Sequence, residues 1–286
     1  MTGHDRDYGP GGIPPPGSVA FLPDEFRQAA KRLFGDRLPL AAAYAELLST
    51  DGVVRGLIGP REAPRIWERH LLNCAAAAEL IPLGASVVDV GSGAGLPGIV
   101  LAVARPDLTV ALVEPLARRT AFLAEAVAKL GLSDAVTVVR ARAEECAGGP
   151  LAGSPPAGSG ARASARGPDA VAPADIVTAR AVAPLDRLVG WCLPLAALGG
   201  RLLALKGASA AEEVAAHREA IGELGGAAPV VRLCGVDVID PPTTVVEIVR
   251  EREVAPPQSR PSRKAARSGR RAAPGGGSGR GRARRS

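Results

Sequence analysis

The chain has 286 residues, of which 47% are hydrophobic and 3% aromatic, enough apolar material for a full domain core. Its net charge of +6 comes from one end, because residues 254–286 contain ten Lys or Arg and no acid, against 25 basic and 29 acidic residues elsewhere. The four scattered cysteines lack metal-ligand spacing, and the chain shows neither a signal peptide nor an apolar run near the ~20 residues of a membrane span. We therefore expect a cytoplasmic protein with buried, reduced thiols, no metal and no membrane contact.

The first part of the chain has helical periodicity. Residues 1–22 are rich in Gly and Pro and are predicted to be disordered. Apolar residues at helical spacing predict a helix over 23–48, broken at Pro39, and a second helix over 63–80. Together they form a predicted helical cap over residues 23–82.

From residue 86, short apolar strands alternate with helices. We predict strands over 86–90, 108–114, 135–141, 174–180, 200–207, 229–236 and 243–250, and helices over 96–105, 116–131, 185–196 and 210–225. The last two strands have no helix between them and are expected to pair antiparallel. This alternation predicts an α/β fold with a mostly parallel, seven-stranded, Rossmann-like sheet and helices on both faces.

Two segments do not follow this alternation of strands and helices. Residues 147–173 are small, polar and rich in Pro and Gly, and they are predicted to be a flexible loop inserted in a single domain over 23–253. Residues 254–286 form a predicted disordered basic tail. Such a tail attracts polyanions such as RNA without specifying sequence, and a merely solvated extension is the alternative.

The stretch VVDVGSGAGLPG, residues 87–98, places Gly91, Gly93 and Gly95 directly after the first strand. Glycines at this position let the backbone approach a ligand at the carboxyl edge of the sheet. The spacing G-x-G-x-G differs from the dinucleotide pattern G-x-G-x-x-G, and the acid Asp89 would repel a pyrophosphate. A ligand with a positive amino group and no phosphate fits better, and S-adenosylmethionine is such a ligand.

Acidic residues also follow the next two strands. Glu114 ends the second strand, where a carboxylate can accept hydrogen bonds from both ribose hydroxyls of an adenosine. After the third strand, the backbone of Ala143 and the side chain of Glu144 are expected at the adenine edge.

At these residues the chain resembles class I S-adenosylmethionine-dependent methyltransferases and, more narrowly, the RsmG family, also called GidB. The resemblance covers roughly residues 23–250 and is carried by RHLLNC (69–74), VVDVGSGAGLPGIVLA (87–102), VEPLARRTAFL (113–123), RAEE (142–145), TARAVAPL (178–185) and LALKG (203–207). It implies methyl transfer from S-adenosylmethionine to N7 of a guanine in 16S ribosomal RNA of the small subunit. It also implies cofactor contacts at Gly91, Leu96, Ala143, Glu144 and Arg180.

The chain departs from the family pattern in its tail, in the loop at 147–173, and at RGLIGP (55–60), where the family often has an Asn-Leu-Thr stretch. DPPT at 240–243 is similar to the Asn/Asp-Pro-Pro-aromatic motif of enzymes that methylate exocyclic amines of bases. It falls between the last two strands, however, and is predicted to be a hairpin turn.

Methylation at guanine N7 uses a free lone pair and releases no proton, so no general base is expected. Orientation alone can supply about 7–11 kcal/mol. Arg180 and Lys206, which end the fourth and fifth strands, are therefore expected to position the substrate. His70 is a further candidate, supported by the RH match alone, and an ordinary core or surface histidine is the alternative.

Two other functions remain open at this point. A small-molecule methyltransferase uses the same cofactor fold, and a non-enzymatic RNA-binding protein would use the basic tail. We expect a monomer.

Overall fold

The computed structural model describes residues 22–146, 171–180 and 183–254. The predictions of disorder for 1–22, 147–173 and 254–286 lie almost entirely outside these ranges.

A single seven-stranded sheet forms the centre of the described chain. Its order is β3-β2-β1-β4-β5-β7-β6, and β7 alone runs antiparallel to its neighbours β5 and β6. The strands are β1 (Ser86–Val90), β2 (Thr109–Val113), β3 (Val136–Val139), β4 (Ala174–Arg180), β5 (Ala196–Lys206), β6 (Val230–Cys234) and β7 (Thr243–Val249). The prediction of a mostly parallel, seven-stranded sheet that ends in an antiparallel pair is confirmed.

The central strands of the sheet are apolar on both sides and are buried on both faces, whereas the edge strand β6 is largely exposed. Successive side chains of a strand point to opposite faces, so Val87 and Val88 of β1 belong to two separate apolar clusters. The cap and the helices α4 (Gly98–Ala104) and α5 (Ala117–Lys129) cover one face. The helices α7 (Leu185–Cys192) and α8 (Ala210–Glu223) cover the other.

The N-terminal cap is helical but segmented. It contains α1 (Arg27–Phe34), α2 (Leu38–Leu47) and α3 (Asn73–Ala76), joined by 3₁₀ and π turns. The predicted break at Pro39 is wrong. The chain bends at Gly35, whose φ of 51° favours glycine, and Pro39 lies in the first turn of α2, where no backbone N–H is needed.

Candidate active site

A cavity of about 590 Å³ opens at the carboxyl ends of β1, β2, β3 and β4. We call it the donor cavity. It brings together eight of the predicted site residues, namely His70, Gly91, Gly93, Leu96, Glu114, Ala143, Glu144 and Arg180. Asp89, Gly95 and Lys206 do not line it.

The glycine loop is shaped by residues with left-handed backbone. Gly91 and Gly93 have φ values of 68° and 60°, where a side chain would be strained. A Cβ built on Gly93 meets nothing nearer than the Gly91 carbonyl oxygen at 3.7 Å. Glycine at these two positions therefore allows the left-handed backbone conformation with which the loop follows the cavity wall.

Glu114 connects this loop to the next strand. Its side chain is buried and accepts hydrogen bonds from the backbone N–H of Gly93 and of Leu116, both at 3.0 Å. Each oxygen of a carboxylate has two lone pairs, so each still has one acceptor site free on the cavity side. Arg119 lies 3.7 Å from the same carboxylate. This ion pair accounts for a cation in the first turn of α5, where the helix dipole disfavours positive charge.

Asp89 is not placed as predicted. Its side chain is fully buried beneath the loop, where it accepts hydrogen bonds from the Thr178 hydroxyl at 2.9 Å and the Gly98 N–H at 3.1 Å. Burial raises the pKa of this carboxyl to about 6, and the hydrogen bonds oppose that rise. Asp89 therefore fixes the start of α4 and does not face the ligand edge.

Gly95 is also needed for packing. A Cβ there would lie 2.5 Å from an Ile99 side-chain carbon and 2.7 Å from the Tyr44 hydroxyl. That hydroxyl donates a 2.6 Å hydrogen bond to the carbonyl oxygen of Ala94. Because Tyr44 belongs to α2, the helical cap supports the glycine loop from the side opposite the cavity.

Arg180 ends β4 at the rim of the donor cavity. Its guanidinium donates to Nδ1 of His70 at 2.7 Å, to the carbonyl oxygen of Arg69 at 3.1 Å and to Sγ of Cys74 at 3.2 Å. All three acceptors are neutral, and no carboxylate of the described residues lies within ion-pair distance of it. Arg180 therefore has no direct ion pair among the described residues, although its charge opposes the rise that burial causes in the pKa of the Asp89 carboxyl.

His70 keeps this arrangement by staying neutral. Burial, followed by the nearby Arg180, lowers the pKa of His70 to about 4. Its Nδ1 can thus accept from Arg180 at neutral pH, which places the ring proton on Nε2. Nε2 lies 3.3 Å from Glu62 Oε2, without hydrogen-bond geometry. His70 holds Arg180 in place and is not placed as a general base.

Lys206 faces away from the donor cavity. It forms an ion pair with Glu213 at 2.7 Å and donates to the carbonyl oxygen of Ala183 at 3.0 Å. It lines a second cavity, of about 1110 Å³, over the ends of β4, β5 and β7. Arg180 lines both cavities.

Several residues of the donor cavity were missed in the sequence. The loop before the π-helical turn Ile66–Leu72 contributes Leu57 and Ile58, and helix α7 contributes Trp191. They come from segments far from the glycine motif, and only their apolar character gave a signal.

No helix of the described ranges is long and apolar enough to cross a membrane. In the same ranges, no three His, Cys, Asp or Glu side chains are grouped to hold a metal ion.

The donor cavity suits S-adenosylmethionine. Glu114 has lone pairs of the kind that accept hydrogen bonds from a diol, and Ala143, the first residue of a short helix, α6 (Ala143–Cys146), lines the same cavity. Arg180 is a cation without an ion pair, of the kind that binds a carboxylate or a base edge. Trp191 and Leu116 add apolar surface to the cavity wall.

The strand order and this cavity define a class I S-adenosylmethionine-dependent methyltransferase. The sequence matches the family described as rRNA small subunit methyltransferase G, GidB, over residues 37–236. The chain therefore belongs to the RsmG/GidB family.

The relatives agree along most of their length. Ribosomal RNA small subunit methyltransferase G of Salinispora tropica is 64% identical over 257 residues, which cover 90% of this chain and 99% of that protein. The protein of the same name from Corynebacterium efficiens is 49% identical over 85% of this chain and 96% of its own. Among solved structures, cofactor-bound Rv0187 from MTB has a TM-score of 0.46 and 19% identity, covering 85% of this chain and 100% of that chain.

Proposed function

We propose that this chain transfers the methyl group of S-adenosylmethionine to N7 of a guanine in 16S ribosomal RNA. The observation that carries the proposal is the 64% identity, over nearly the full length, to a protein named ribosomal RNA small subunit methyltransferase G. The donor cavity supports it with Gly91, Gly93, Leu96, Glu114, Ala143, Glu144 and Arg180 around one opening. We further propose that the chain works as a cytoplasmic monomer on the small ribosomal subunit.

The work of the protein in this reaction is positional. When bound, S-adenosylmethionine supplies an electrophilic methyl group on its sulfonium, and the group that leaves is a neutral thioether that needs no acid. Guanine N7 carries no proton, so no residue has to act as a base. Glu114 and the glycine loop hold the donor, and Arg180, kept in place by His70, orients the acceptor at the rim. Bringing the two reacting atoms into line can lower the barrier by about 7–11 kcal/mol.

The remaining predicted residues have supporting roles in this proposal. Asp89 holds the N-terminus of α4, which fixes the end of the glycine loop. Gly95 allows Tyr44 to approach that loop. Lys206 acts from the second cavity rather than from the donor cavity.

A labelled-methyl assay tests the proposed function. The full chain would be incubated with S-adenosylmethionine and small ribosomal subunits from a strain that lacks the endogenous enzyme, and the modified base would be mapped. Label on N7 of one guanine is the expected outcome. Tight cofactor binding without transfer to subunits or to naked 16S RNA would overturn the RNA substrate and favour a small molecule.

A further inference from the structure

The second cavity adjoins the donor cavity at Arg180, and we call it the acceptor cavity. It lies over the ends of β4, β5 and β7, and residues of the cap form one side of it. Its lining combines charged side chains, among them Arg180, Lys206 and Asp240, with apolar ones such as Phe26, Leu205 and Pro241. A planar base with hydrogen-bonding edges fits such a surface.

The motif DPPT lies in the connection between the antiparallel strands β6 and β7, as predicted, and this connection also lines the acceptor cavity. Because β7 runs antiparallel to β5, its first residues lie at the carboxyl edge of the sheet, and Thr244 pairs with Lys206. The segment before β7 therefore returns to the rim that Arg180 occupies. Asp240, Pro241 and Pro242 all line the cavity there.

The wall that carries Asp240 is tied to the cap by three hydrogen bonds. The Thr243 hydroxyl donates to the carbonyl oxygen of Asn73 at 2.8 Å, and the Gly235 N–H donates to Glu79 at 3.1 Å. Arg32 donates to the carbonyl oxygen of Asp237 at 3.1 Å. These bonds give the segment around Asp240 a defined position, as a recognition site requires.

Most charges in the acceptor cavity are already paired. Lys206 pairs with Glu213, Arg65 with Glu68, and Arg69 with Glu62. Two exposed carboxylates of the cavity, Glu25 and Asp240, make no side-chain hydrogen bond or ion pair with any described residue. Of these two, Asp240 lies on the segment that leads into β7, whose first residues pair with the end of β5 at the same edge of the sheet as Arg180.

We infer that the acceptor cavity binds the target guanine as a base taken out of the RNA stack, with Asp240 accepting hydrogen bonds from its Watson–Crick edge. This inference rests on the proposed function. N7 must face the donor cavity, which places the adjacent O6 beside Arg180, a hydrogen-bond donor. The opposite edge, with N1–H and the N2 amino group, then faces away from Arg180 and into the acceptor cavity. A carboxylate accepts both of these donors, whereas adenine offers no such pair.

The test compares substitutions of two acidic residues in the segment between β6 and β7. Asp240→Asn replaces one acceptor oxygen by a donor. Asp237→Asn is the matched control, because it removes the same charge from an exposed residue of the same segment that does not line the cavity, at a φ of 63° that Asn tolerates. For both variants, kcat/KM is measured with small ribosomal subunits, which contain the 16S RNA, and the affinity for S-adenosylmethionine is measured separately.

We expect D240N to lower kcat/KM for RNA roughly 10- to 100-fold, as for loss of a hydrogen bond to a charged group, with cofactor affinity unchanged and D237N close to wild type. Equal activity of the two variants would overturn the inference and leave the proposed function intact. A wild-type chain that transfers no methyl to RNA would overturn both.

A second measurement uses the wild-type fold and changes the RNA. Inosine at the target position retains N7, O6 and N1–H and lacks only the N2 amino group. We expect this replacement to lower kcat/KM for the wild-type chain and for D237N, and to have a smaller effect on D240N, since the two changes remove one interaction. An equal effect of inosine on all three chains would contradict contact between Asp240 and that amino group.

Discussion

The Glu114 carboxylate contacts the glycine loop and also lines the donor cavity. It fixes the glycine loop through the Gly93 N–H and faces the donor cavity with its remaining lone pairs. We expect Glu114→Gln to weaken S-adenosylmethionine binding roughly 10- to 100-fold, because an amide N–H₂ would then oppose a backbone N–H or a ribose hydroxyl.

Isothermal titration of the two chains measures this effect. Glu212→Gln, on the exposed first turn of α8, is the control for a lost negative charge. Equal cofactor affinity in the Glu114 and Glu212 variants would remove Glu114 from the binding site.

Two buried groups give the protein opposing responses to acid. The pKa of His70 is lowered to about 4, so the unfolded chain binds the proton more readily and stability falls as the pH drops from about 6.5 to 4. The pKa of Asp89 is raised to about 6, so the folded chain binds the proton more readily and stability rises over nearly the same range.

Single substitutions separate these two effects. Between pH 7 and pH 5, His70→Gln is expected to lose less unfolding free energy than the wild type, and Asp89→Asn to lose more, each by an amount on the order of 1–2 kcal/mol. Urea unfolding at the two pH values measures the differences. The same pH dependence in all three chains would show that neither group titrates differently on folding.

Among the elements, α2 and the glycine loop are joined by the bond from Tyr44 to Ala94. Tyr44→Phe leaves the Ala94 carbonyl oxygen buried without its donor, which costs about 1–3 kcal/mol. We expect a lower melting temperature and severalfold weaker binding of S-adenosylmethionine, since the loop is then less well ordered.

Tyr8→Phe, in the N-terminal segment outside the described residues, is the matched control. A Tyr44 variant that loses stability but keeps full cofactor affinity would confine the role of Tyr44 to packing.

The order of the elements was predictable because each strand is a short apolar run. The predicted bounds of β1 and β4, 86–90 and 174–180, coincide with the observed ones. The partners of single side chains were not predictable, because they come from distant segments. Tyr44 is 51 residues before Gly95, and the proximity of Thr178 to Asp89 depends on the pairing of β1 with β4. The position of Asp240 likewise depends on the insertion of β7 between β5 and β6, which the order of the strands along the chain does not specify.

At the scale of the whole molecule, positive charge is unevenly distributed along the chain. Residues 254–286 carry ten basic residues and no acid, while several cations around the acceptor cavity are already paired with carboxylates. A polyanion would therefore be attracted mainly by the C-terminal segment, and Arg180 and the cavities would select the base.

Truncation after Val254 separates the electrostatic attraction of RNA from the selection of the target base. We expect unchanged affinity for S-adenosylmethionine and unchanged kcat, but a higher KM for RNA and a shallower dependence of log KM on log salt, by up to about seven in slope if all ten charges engage a single strand. A full-length variant with the ten basic residues replaced by Gln tests charge at constant length and should behave like the truncation. An unchanged salt slope in both variants would place RNA attraction on the folded domain. Loss of kcat in the truncated chain, with cofactor binding intact, would instead mean that the C-terminal segment helps to form the acceptor site.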